Sequence, residues 1–126
     1  MSFSNYLEQK VLNDNLVNAT VYLALFTSAP GEDGTGTEVS GGGYSRQPIT
    51  FGAPTDDGAG SMQTSNSAAV EFPIASADWG IITHMGLYDA ETGGNLLDFG
   101  SLNSTANIQE NNQFLINVGD YTVKIN

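Results

Sequence analysis

Two alternating runs, IITHMGLYDA (residues 81–90) and NLLDFGSL (95–102), are separated only by ETGG. Period-two alternation on both sides of a tight glycine turn makes a β-hairpin, and a hairpin commits its neighbourhood to an antiparallel sheet. The rest of the chain repeats the theme. TVYLALFTS (20–28) is β-branched and aromatic, which suits a central strand covered on both faces. YSRQPITFG (44–52) alternates, and Pro48, lacking an N–H, places it at a sheet edge or a bulge. SAAVEFP (67–73) is a short strand closed by Pro73, while NQFLINVG (112–119) and DYTVKIN (120–126) predict a second hairpin about Gly119 and Asp120. APGEDGTGTEVSGGG (29–43) and APTDDGAGSM (53–62) read as polar surface loops, the first long enough to be functional.

At the N-terminus Phe3, Leu7 and Val11 recur at four-residue spacing, with Ser4 available as an N-cap, and predict a short helix that NDN (13–15) should end. The fold class is therefore mainly β: an antiparallel β-sandwich, jelly-roll or Ig-like, of about seven or eight strands. The 126 residues form a single domain, with 1–14 as the N-terminal helical arm and 20–126 as the sandwich.

Charge narrows the partners. Lys10, Arg46 and Lys124 face fourteen acidic residues, a net charge of -11, so there is little to neutralise phosphates and neither nucleic acid nor an anionic membrane is expected as a partner. The first residues lack the pattern of an export signal and no apolar run is long enough to span a bilayer, so a soluble, non-exported protein is expected. The absence of cysteine removes disulfides, thiolate catalysis and cysteine-ligated metals.

Catalytic chemistry finds little to use. His84 is the only histidine, and its alternation along a predicted strand fits a hydrogen-bonded structural role better than a base. The adjacent carboxylates Glu32–Asp33 and Asp56–Asp57 sit in glycine-rich stretches, where turn formation explains them. Neither stretch has the ligand spacing of a calcium loop, and GTGTEVSGGG lacks the Lys-Ser/Thr that completes a phosphate loop. No enzyme, cofactor or metal is expected. Trp79 is a buried structural anchor at the entrance to the hairpin. Gly41, Gly42 and Gly43 form a loop hinge that allows positive φ and close backbone approach, and Tyr44 and Arg46 follow it on one strand face. The single guanidinium in so acidic a chain either ties the loop base to a carboxylate or carbonyl, or contacts a neighbouring subunit.

YLALFTSAP, GTEVSGGGYSRQPITFGAP, VEFPIASADWGIITHMGLYDAETGGNLLDFGSL and GDYTVKI, in this order, resemble a family of small bacteriophage virion proteins, labelled tail fibre proteins and similar to proteins that decorate capsids. The resemblance covers most of the chain. It implies a virion structural protein assembled in the host bacterial cytoplasm, with the major capsid protein or another virion protein as partner and a homo-oligomer, a trimer by preference. The first reading is a decoration, or cement, protein that stabilises the outer head surface. The alternative is a tail fibre component with a glycan-binding face built from Tyr22, Tyr44, Trp79, Tyr88 or Tyr121. Subunit or capsid contacts are expected from Phe3, Tyr6 and Leu7 on the helix, and from Tyr44 and Arg46 at the end of the long loop.

Overall fold

The computed structural model describes residues 2–125. The chain begins with α1 (Asn5–Leu12), whose N-cap Ser4 accepts a hydrogen bond from the Leu7 N–H, and continues through a π-helical turn (Asn13–Val17). Nine strands follow among the described residues: β1 (Val21–Phe26), β2 (Gln47–Ile49), β3 (Thr55–Asp56), β4 (Met62–Ser65), β5 (Val70–Glu71), β6 (Gly80–Tyr88), β7 (Leu96–Ile108), β8 (Leu115–Ile116) and β9 (Thr122–Ile125). They pair antiparallel in three sheets, in the orders β2-β1-β6-β7, β3-β4-β9 and β5-β8.

The fold is mainly antiparallel β with one short N-terminal helix, as the alternation predicts. The core gathers Leu23 and Leu25 of β1, Leu87 of β6, Val70 of β5, Ile116 of β8 and Val123 of β9 into one cluster. On the other face of the four-stranded sheet Ala24, Phe26 and Tyr88 form a smaller cluster with Leu96. The 29–36 segment lies close to it, with Gly34 beside the Tyr88 hydroxyl and Leu96, and Pro30 fully buried. β1 is thus covered on both sides, as its composition requires.

Several local expectations fail for identifiable reasons. NDN does not end the helix: Asn15 Nδ2 donates to the Val11 carbonyl at 2.8 Å, and the Asn18 N–H donates to the Asn13 carbonyl at 2.9 Å, five residues back. The widened turn carries Leu16 into the core with Leu12. The helix therefore buries Glu8, Leu12 and Leu16, not the Phe3–Leu7–Val11 row, and packs on β4 rather than standing outside the sandwich. The 53–62 segment contains a β3–β4 hairpin instead of a plain loop. The 112–126 region is not a hairpin: β8 pairs with β5 and β9 with β4. Asn66 dictates this, because its amide donates to the Ala68 and Asn117 carbonyls, its Oδ1 accepts from the Tyr121 N–H, and its backbone N–H and carbonyl bind Tyr121 and Gly119. The turn is thereby fastened to the end of β4, and the strands on either side leave for different sheets. The long 29–43 loop is also partly strand-like, since residues 37–39 return along β1, with Phe26 bridged to Glu38 and Val39 buried.

Candidate functional site

The three glycines before Tyr44 all have positive φ, at 75°, 60° and 81° for Gly41, Gly42 and Gly43. Gly42 is the position where no side chain fits: a Cβ would lie 2.9 Å from Cδ1 and Nε1 of Trp79. The indole N–H and the Ser76 N–H both donate to the Gly42 carbonyl at 2.9 Å. Trp79 is buried and meets Tyr44 edge-on, with ring centroids 5.5 Å apart. The hinge glycines and the anchor tryptophan therefore form one junction.

Tyr44 and Arg46 precede β2, and strand alternation does not govern them. The Tyr44 ring stacks on Phe72 in the main core, while the Arg46 guanidinium lies 3.7 Å over the Tyr88 ring beside the smaller cluster. Their polar atoms converge on Glu38. The Tyr44 hydroxyl accepts the Leu25 N–H at 3.0 Å, filling the place on the β1 edge between β2 and the 37–39 strap, and donates to Glu38 Oε2 at 2.6 Å. Arg46 Nε and Nη2 donate to the two Glu38 oxygens at 2.9 Å each. Nη1 donates to the carbonyls of Ala90 at 2.9 Å and Gly93 at 2.7 Å in the β6–β7 turn. Four of the guanidinium N–H groups are thereby used.

Burial opposes the charge on Arg46, but the hydrogen bonds and charge of Glu38 outweigh it and raise the guanidinium above its ordinary value. Burial, reinforced by the hydrogen bond to Glu38, pushes the Tyr44 phenol far above its own. Neither group exchanges a proton near neutrality. The arrangement joins three segments as an ionic clamp, and an open cleft of about 330 Å³ lies beside it, with Glu38, Tyr44 and Arg46, already bonded to one another, in its lining.

His84 is half-buried on β6, and its Nδ1 shares a hydrogen bond with Thr83 Oγ1 at 2.8 Å. The carboxylate pairs organise turns: Asp33 accepts from Thr35, Asp56 from the Gly58 N–H, and Asp57 from the Ala59 and Ser61 N–H groups while pairing with Lys124. Hydrogen bonds from Thr35 and from Ala59 and Ser61 hold the Asp33 and Asp57 carboxyls below the usual carboxylate range. Trp79, Tyr88 and Tyr121 are buried and Tyr44 is turned inward, so these rings do not make an exposed sugar-stacking face. Phe3, Tyr6 and Leu7 are exposed, at 52%, 75% and 40%, and are apart from the clamp.

Two polar centres escaped the sequence reading. Asn66 gave no signal beyond a polar stretch. Glu38 was legible in principle, as the carboxylate nearest the lone arginine across the glycine run.

No curated protein matches the chain. A family model does, over residues 2–124, and its description is Podophage GP4 fiber I protein gp80. The match spans the helix, the glycine hinge, the Arg46 clamp and all but the end of β9, and the chain belongs to that family of phage fibre proteins.

Proposed function

We propose that the protein is a non-enzymatic structural subunit of a podophage fibre. The observation that carries this reading is the family match across nearly the whole chain. The use of Arg46, Glu38, Tyr44 and Trp79 in internal ties supports a load-carrying domain over a catalytic one. In this reading the chain works as a homo-oligomer, a trimer by preference, beside another virion protein and without nucleic acid, membrane or cofactor. The exposed Phe3, Tyr6 and Leu7 support the N-terminal helix as a contact surface, whereas the burial and internal bonds of Arg46 support an internal tie. The family description favours a fibre over decoration of the head.

Deleting the gene tests the reading. Particles lacking the protein should keep heads as resistant to heat as the parent's while adsorbing more slowly to the host. Heads that rupture on mild heating, with unchanged adsorption, would point to decoration instead.

A further inference from the structure

α1 inverts the usual division of a surface helix, in which apolar residues turn inward and charges outward. Leu12 and Leu16 face the core, but the first residue of that buried row is Glu8, with neither carboxylate oxygen hydrogen-bonded among the described residues. Tyr6 and Leu7 instead stay exposed, as does Phe3 just ahead of the N-cap Ser4. Large apolar side chains grouped outside in this way mark a contact surface.

The same helix carries a groove. Tyr6, Gln9, Lys10, Asn13, Asp14 and Asn18 line an open cleft of about 380 Å³, and neither Phe3 nor Leu7 is in its wall. At 3.6 residues per turn Leu7 and Gln9 point about 160° apart, so the apolar ridge and the groove occupy different flanks and no copy can fill its own groove with its own ridge. Chains that meet through unlike flanks make a heterologous contact. Each such contact leaves a ridge and a groove open for further copies, and the series closes into a ring where the rotation allows.

Charge selects the occupant. From Ser2 to Gly31 the only charged side chains are Glu8, Lys10 and Asp14, a net charge of -1, whereas the whole chain carries -11. With Glu8 buried, the outward side of α1 shows one cation and one anion, Lys10 and Asp14, 3.2 Å apart and both more than half exposed. Such a patch meets its own copy with Lys10 able to face Asp14, while contact between the acidic remainders would set like charges together. A basic partner would be drawn to that remainder and not to this helix. We infer that α1 is a self-association surface, on which the Phe3–Leu7 ridge of one copy seats in the Tyr6–Asn18 groove of the next, around a closed ring. The inference deepens the homo-oligomer reading above, on which it rests, by naming the partner of the helix as a second copy.

Light scattering and photo-cross-linking of the purified full chain test it. The parent should have the mass of three or more copies, and a benzophenone amino acid in place of the exposed Tyr6 should join two copies through the ridge of the second. Leu7→Glu and Phe3→Ser should each lower the mass to that of one chain and abolish the joined product. Both positions are exposed, so each variant should melt within a few degrees of the parent. A single-chain mass for the parent at every concentration, a two-chain mass, a product joined outside residues 3–18, or a mass that survives both substitutions would overturn the inference. So would the same probe joining the protein in virions to a different virion protein. Whether the protein sits on tail or head moves none of these readouts and bears on the fibre reading alone.

Discussion

Arg46 and Glu38 show how one residue pair governs a large part of the molecule. Replacing Arg46 with Ala leaves the Glu38 carboxylate, the Ala90 and Gly93 carbonyls and the Tyr88 face without their cation. Loss of one partner from a buried pair costs about 3–5 kcal/mol, and urea unfolding of Arg46→Ala should show a loss of that order. Arg46→Lys should recover only part of it, because an ammonium cannot bridge both Glu38 oxygens and both carbonyls at once. Glu8 acts in the opposite direction. It is fully buried on the docked face of α1, and neither carboxylate oxygen has a hydrogen-bond partner among the described residues. Glu8→Leu should therefore stabilise the protein by about 1–3 kcal/mol, read in the same assay. Asp98 supplies the pH dependence. Burial raises its carboxyl above the ordinary value against the lowering effect of the Tyr121 hydrogen bond, so the fold favours the protonated acid. That contribution is complete below the unfolded value and is lost as pH rises through the folded one. Asp98→Asn should consequently gain on the parent as pH rises from the ordinary carboxylate range through the raised folded value of Asp98. The turn carboxyls Asp33, Asp57 and Asp89, all lowered, have the reverse sign and lose their contribution as pH falls.

At the scale of elements, what was legible followed local pattern. The β6–β7 hairpin, the β1 strand and the Pro48 edge all announce themselves through alternation or a missing N–H. The β6–β7 turn is also locally determined: Asp89 caps the N–H and side chain of Asn95, and Gly94 has φ 76° with no room for a Cβ beside the Asp89 carboxylate. The partners of β8 and β9 were not legible, because Asn66 sets them from 51 residues away in its bond to Asn117 and 55 in its bond to Tyr121. The same holds for the helix. Its apolar spacing pointed to Phe3, Leu7 and Val11, but contact with β4 and the π turn select Glu8, Leu12 and Leu16 instead. Asn66→Ala should unfasten this corner. Hydrogen exchange should then rise in β9 and the 117–121 turn first, while β1 and β6 keep their protection. Uniform acceleration across all strands would show that the corner does not open separately.

For the whole molecule, the sequence made a virion component legible through its middle blocks, whereas the order of strands and the placing of Glu38 depended on contacts between distant segments. The interior is closed by ionic and amide ties, while the N-terminal row Phe3, Tyr6 and Leu7 stands exposed. A net charge of -11 disfavours indiscriminate association. Double substitution of Tyr6 and Leu7 by Ser should leave the melting temperature within a few degrees of the parent's and reduce incorporation into particles, measured by immunoblot of purified virions. The central claim is that this fold serves in a fibre. Immunogold labelling of purified virions by electron microscopy tests it most directly: the account predicts gold on the fibres at the tail, and gold distributed over the heads would contradict it.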